Sequence, residues 1–170
     1  MIAVDLGCGE GFGTNKLLNE FPDAERVYGL DFNEASLRKA RKTFTDPRLD
    51  FRKADLTVTG SIPEELKGSA DLVQISYPQP GTDGDKSSFF IQCLLPAAGC
   101  IVKPGGKVRV TTEVGDNVRR AIAYSKSSGE YRFRGSRDWK STGVKTFTLV
   151  RKLERLQPEP PAEEKRRITQ

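Results

Sequence analysis

Apolar and polar positions alternate along this chain in two periods. Ile2-Ala3-Val4-Asp5-Leu6 is a short apolar run that ends in glycine, the pattern of a buried strand. Similar runs recur at Arg26 to Leu30, Asp50 to Leu56, Ala70 to Tyr77 and Lys107 to Thr112. The stretches between them read as helices. Thr14 to Phe21 is stopped by Pro22. Glu34 to Phe44 takes Asn33 as its N-cap and carries a core-facing stripe of Leu37, Ala40 and Phe44. Pro63 to Lys67 is a short helix, Ser87 to Ile101 an apolar one disturbed at Pro96, and Asp116 to Lys126 the next. Tyr131 to Gly135 and Val144 to Arg151 form a terminal antiparallel hairpin, joined by a polar loop that contains Trp139.

Strands that alternate with helices imply a mostly parallel sheet covered on both faces, a three-layer α/β sandwich. With the terminal hairpin added, the expectation is a seven-stranded sheet whose last strands are antiparallel. Residues 1–152 make one domain, and 153–170, rich in Pro, Glu and Lys, form a flexible tail. In such sheets ligands bind beyond the carboxyl ends of the strands. Asp5 to Gly11, Asp31, Asp55, the segment from Tyr77 to Asp85, and Glu113 all fall on that edge.

Composition narrows the chemistry. The chain has no histidine, which removes imidazole acid–base catalysis and the commonest metal ligand. Its three cysteines, Cys8, Cys93 and Cys100, lack metal-site spacing and read as small buried residues in a reducing compartment. No metal site is expected. No apolar run approaches the ~18 residues of a membrane span, and the first strand opens at residue 2, leaving no room for a signal peptide. A cytoplasmic protein without a membrane partner is the expectation. The net charge of +5 is unevenly spread. Residues 119–155 hold eleven Lys/Arg against three acids, a local +8. Such a face favours a polyanionic partner; a solvated surface balancing acids elsewhere is the alternative.

The first loop is the strongest chemical signal. Glycine stands at 7, 9, 11 and 13, and the second strand ends in Asp31, twenty residues past Gly11. Glycine lets a backbone turn tightly and approach a ligand closely. A carboxylate at the next strand end accepts bonds from ribose hydroxyls. Together they describe a pocket for a nucleoside cofactor. The dinucleotide pattern G-x-G-x-x-G/A fails, because its last position falls on Phe12 or Thr14.

What stands instead, Asp5-x-Gly7-x-Gly9-x-Gly11, resembles motif I of the class I S-adenosylmethionine-dependent methyltransferases. The resemblance extends over about 110 residues. It continues through Tyr28-Gly29-Leu30-Asp31-Phe32, Phe51-Arg52-Lys53-Ala54-Asp55-Leu56, Asp71 to Tyr77, and Lys103-Pro104-Gly105-Gly106. It implies a Rossmann-like methyltransferase domain over 1–152 with S-adenosylmethionine as cofactor. The implied cofactor contacts are Asp5, Gly7, Cys8, Gly9 and Gly11 around the methionine part, Asp31 and Phe32 at the ribose, Asp55 and Leu56 at the adenine, and Ser76 leading to the acceptor. In many relatives a helix ahead of strand one shelters the cofactor. Here an oligomer or a partner supplying a lid is the corresponding expectation.

After the fourth strand, Tyr77-Pro78-Gln79-Pro80 resembles the "F-P-D-P" loop of the tRNA guanine-N7 methyltransferases, and Thr112-Glu113-Val114-x-Asp116 their downstream stretch. That resemblance implies RNA, most naturally tRNA, bound through the basic 119–155 segment. It also implies catalytic positions at Tyr77, Gln79 and Glu113. Guanine N7 carries a lone pair and no proton, so transfer needs alignment rather than a base. The departures are Gln79 where the family has aspartate, and an acidic glycine-containing insert after it. Two alternatives stand beside RNA methylation: a small-molecule methyltransferase of a biosynthetic pathway, and a cofactor-binding subunit that does not catalyse.

Overall fold

The structure, a computed structural model, describes residues 1–77, 89–112, 115–139 and 144–153. In chain order the strands are β1 (Ile2–Leu6), β2 (Arg26–Asp31), β3 (Leu49–Lys53), β4 (Ala70–Ser76), β5 (Val102–Thr112), β6 (Tyr131–Trp139) and β7 (Val144–Arg151). The helices are α1 (Phe12–Glu20), α2 (Glu34–Thr43), α3 (Leu95–Ile101) and α4 (Gly115–Ser127). The seven strands form one sheet in the order β3-β2-β1-β4-β5-β7-β6. Pairing is parallel from β3 to β5 and antiparallel at β5–β7 and β7–β6. This is the Rossmann-like architecture with its terminal antiparallel pair.

Strand alternation sorts the core. Ala3 of β1 lies beside Val27 and Leu72 in register, and α1 covers these three with Leu17 and Leu18. On the same face Leu37 and Ala40 of α2 pack on Phe51 and Cys8. The opposite face carries the larger cluster, where Val4, Leu6, Val73, Ile75, Val108 and Val110 meet α3 and α4. Phe147 is buried there, its ring edge-on to Phe90 and stacked on Phe133.

Several boundaries differ from the sequence reading. Helix α1 begins two residues earlier, at Phe12, with the left-handed Gly11 as its cap. Pro63 to Lys67 is only a 3-10 turn over Glu64–Leu66, closed by Gly68 at φ +63°. The apolar helix is divided: a π turn over Phe90–Leu94 precedes α3, and Pro96 sits in the first turn of α3. Proline lacks an N–H and crowds the carbonyl four residues back, and a π turn is one way to absorb that. Strand β5 begins at Val102, so Lys103-Pro104-Gly105-Gly106 lies inside it as a bulge, where the register jumps between Ala70 and Leu72. Strand β6 continues to Trp139, which ends a strand instead of sitting in a loop. Past Leu153, the tail lies outside the described residues.

All three cysteines are free, Cys8 buried and the other two half-buried. Among the described residues no helix is long and apolar enough to cross a membrane.

Candidate functional site

Burying β1 between two neighbours leaves its carboxyl end with one exit, a turn over the edge of the sheet. Gly7 (φ +72°) and Gly9 (φ +53°) make that turn in the left-handed region. A Cβ built on either would meet nothing within 4 Å. These two glycines therefore do not relieve packing. They line open space where a ligand can lie against bare backbone. The loop is fastened to β2 by the Gly7 and Cys8 N–H groups, which donate to the Leu30 carbonyl at 2.8 and 3.1 Å. Gly11 differs: a Cβ there would lie 2.8 Å from the Phe51 ring and 2.9 Å from Ala40. Its role is close packing.

Asp31, at the end of β2, is buried, with 8% exposure. Its Oδ2 accepts the Gly9 N–H at 2.8 Å and its Oδ1 accepts the Asn33 N–H at 2.8 Å. Each oxygen keeps a further lone pair for a ligand. Asp55 follows β3. Its Oδ1 accepts from the Thr57 amide at 3.0 Å and hydroxyl at 2.6 Å, and the Thr57 bonds hold its carboxyl below the usual aspartate range.

A cavity of about 440 Å³ joins these groups, a volume within the range of small-ligand sites. Gly7, Asp31, Phe32, Asp55, Leu56 and Ser76 line it, as sequence reasoning expected, and so does Tyr77. Phe32 is two-thirds exposed at the rim. Tyr77 is the lone non-glycine residue at positive φ among the described residues, at +50°. Its N–H donates to Thr111 O at 2.8 Å. Backbone held in this region costs energy and concentrates at functional sites. Thr57, Phe89 and Leu94 also line the cavity, and the sequence reading missed them. Thr57 had a local signal, a hydroxyl two residues past a loop aspartate. Phe89 and Leu94 had none, since only the return of the α3 segment over the strand ends brings them there.

Six expected residues stand elsewhere, Gly9 and Gly11 of the loop among them. Gln79 and Glu113 lie outside the described residues. Asp5 and Cys8 are under the loop, not on the cavity wall. Burial pushes the Cys8 thiol well above its usual range, with the Asp5 and Asp31 charges adding to the effect, so it is an inert packing group. Asp5 accepts a hydrogen bond from Thr14 Oγ1 at 2.9 Å, and a Cβ on Gly13 would come within 2.7 Å of its Oδ2. Burial raises its pKa to about 6 against the opposing donors Thr14 and Gln74.

In the basic 119–155 segment, Arg119, Arg120, Lys126 and Lys152 are exposed. Arg132 and Arg134 are exposed along the edge strand β6. Arg151 instead turns inward and donates to the Gly99 and Val102 carbonyls at 3.0 and 2.5 Å. That guanidinium is a structural tie.

A family model described as "Methyltransferase domain" matches residues 3–90, just over half of the chain. A trans-aconitate 2-methyltransferase of Paracidovorax citrulli is 33% identical over 107 residues, covering 63% of this chain and 36% of that protein. A probable S-adenosylmethionine-dependent methyltransferase of Mycolicibacterium smegmatis is 29% identical over 109 residues, 64% of this chain and 37% of its own. The chain thus spans little more than a third of the length of these curated relatives. Among solved structures, an S-adenosylmethionine-dependent methyltransferase from Mesorhizobium loti superposes with a TM-score of 0.63 at 18% identity, over 88% of this chain and 90% of that one. The likeness of fold therefore extends well beyond the matched segment.

Proposed function

The chain belongs to the methyltransferase-domain family, and from that premise we propose that it binds S-adenosylmethionine at the ends of β1, β2 and β4 and directs the methyl group to a small organic acid. One observation carries the cofactor part: Gly7 and Gly9 turn at positive φ beside open space, against a carboxylate, Asp31, with lone pairs to spare. When bound, S-adenosylmethionine supplies a methyl group made electrophilic by its sulfonium centre. Asp31 would accept hydrogen bonds from the ribose hydroxyls, Asp55 and Leu56 would border the adenine, and the bare backbone at Gly7 would pass the methionine part. Ser76 and Tyr77 stand at the acceptor end.

The acceptor follows from what the described wall lacks. It holds no lysine, the chain has no histidine, and its two acids, Asp31 and Asp55, are already engaged by donors. Asp31 already takes two backbone donors, and Thr57 keeps the Asp55 carboxyl low. An acceptor that brings a free lone pair and no proton suits this wall, and a carboxylate oxygen is such a group. The work left to the protein is then alignment. Relatives named for trans-aconitate methylation support the choice.

Calorimetry with S-adenosylhomocysteine tests the cofactor part. Asp31→Ala is expected to weaken binding at least about tenfold, ~1.4 kcal/mol; unchanged affinity would overturn the assignment. Labelled methyl transfer to a panel of small carboxylic acids tests the acceptor, and transfer to RNA alone would sink it. A second reading, methylation of an RNA base nitrogen such as guanine N7, is favoured by the exposed Arg132 and Arg134 on β6. It requires salt-dependent tRNA binding that weakens in the Arg132→Ala, Arg134→Ala double variant.

A further inference from the structure

Strand register lays three polar residues in one row across the middle of the sheet. Asp5 of β1 pairs with Gln74 of β4, and Gln74 pairs with Arg109 of β5. All three point to the face covered by α1. Arg109 Nη2 donates to Gln74 Oε1 at 2.6 Å, and Gln74 Nε2 donates to Asp5 Oδ1 at 3.5 Å. Arginine has no acceptor. Its donor therefore fixes which way the Gln74 amide faces: the carbonyl oxygen to Arg109, the amino group to Asp5. Arg109 is itself held by Glu20 at the end of α1, through bonds of 2.5 and 2.9 Å, and its guanidinium lies over the Phe21 ring.

The far end of the row supports the glycine loop. Asp5 receives the Thr14 hydroxyl from the first turn of α1 and lies against Gly13. Both partners donate to Asp5, Thr14 to Oδ2 and Gln74 to Oδ1, and the ionised carboxylate offers an acceptor oxygen to each at once. Resting on the S-adenosylmethionine reading above, we propose that Gln74 and Arg109 are positioning residues for the cofactor loop: Arg109 orients the Gln74 amide, which holds the Asp5 carboxylate as a fixed anchor under the turn into α1. No described cavity residue is a cation. A cofactor ammonium would thus meet a site whose charges are carboxylates, Asp31 and Asp55 on the wall and Asp5 buried beneath the loop.

The groups that face Asp5 are Thr14 from α1, Gln74 from β4, Arg109 from β5, Asp31 from β2 and Cys8 from the loop. Burial and Asp31 push its pKa up to about 6, and Thr14, Gln74 and Arg109 pull it down. Ionised Asp5 is the binding-competent state, so affinity falls as pH drops through that value. Removing the Gln74 donor moves the midpoint upward.

The test is a carbon NMR titration of the Asp5 carboxyl in ligand-free protein, paired with S-adenosylhomocysteine affinity from pH 5 to 8. Gln74→Met and Arg109→Lys are compared with wild type. Arg109→Lys keeps the charge but loses the planar fork, and it guards against a Gln74 variant that fails to fold. The expected result is an upward shift of the Asp5 midpoint by at least about half a pH unit in Gln74→Met. A smaller shift of the same sign is expected in Arg109→Lys, and the affinity profile should move in step. A uniform loss of affinity with the Asp5 midpoint unmoved would reduce both residues to structural support and overturn the proposal. The titration needs no ligand, so it decides the array by itself. Failure of the wild type to bind S-adenosylhomocysteine would strike the cofactor assignment instead.

Discussion

Gly29 sits in the same cross-sheet row as Asp5, and it is glycine for steric reasons alone. A Cβ there would lie 2.7 Å from Phe51 Cδ1 and 2.9 Å from both Cys8 Sγ and Thr14 Oγ1. Gly29→Ala is expected to cost about 1–3 kcal/mol by overpacking, read by urea unfolding, with no change in strand pairing. Asp5 invites a prediction of opposite sense. Unfolded, its carboxyl ionises at the ordinary 3.8, but in the folded protein at about 6. Between those values the folded state binds more protons, so ionising Asp5 weakens the fold as pH rises. Relative to Asp5→Asn, the wild type should lose on the order of 3 kcal/mol from pH 4 to 7 and nothing further above it. Comparison with the variant matters, because carboxyls held low by their donors, such as Asp46 by Arg48 and Glu34 by Arg41, shift stability the other way. A wild-type-minus-variant difference that stays flat across this range would refute the buried-acid account. At this scale the sequence was legible where chemistry is local. Glycines beside an acid at strand ends announce a cradle, and Gly7 and Asp31 do meet on the cavity wall. It was illegible where partners are distant, as with Gln74, which lies 69 residues from Asp5.

The helices were readable where a cap marks them. Asn33 accepts from the Ala35 and Ser36 amides, and α2 starts directly after it. Asn33→Ala is expected to lower stability by about 1 kcal/mol, and a ΔΔG near zero would mean that the neighbouring Asp31 turn holds the helix start unaided. Where no cap or breaker speaks, boundaries slipped. Helix α1 begins on a left-handed glycine without a side-chain cap. Strand β6 outran its forecast because Gly135, at φ +93°, reads as a stop. The register shift between Phe133 and Ser136 lets the strand pass that glycine as an irregularity and continue. Pro96 was rightly read as a disturbance, but sequence does not say whether a proline kinks a helix or, as here, begins a new one after a π turn.

The whole molecule depends on its last strand. Phe147 of β7 is 1% exposed and bridges Phe90 to Phe133. Phe147→Ala is expected to cost about 3–5 kcal/mol, and thermal unfolding should show the loss. The architecture was legible overall because strand and helix periods alternate so regularly. Its sheet order was not, since pairing depends on tertiary contacts that no local pattern encodes. That order also imposes a timetable on synthesis. Strands β1 to β5 can pair side by side as they emerge, but β7 closes the free edge of β5 and carries β6 on its other side. Until Arg151 has left the ribosome, a nascent chain presents the β5 edge, with its row of unmet N–H and C=O groups, to any neighbouring strand. The period of greatest vulnerability to aggregation therefore falls between the synthesis of β5 and that of β7, after the cofactor half has already been made.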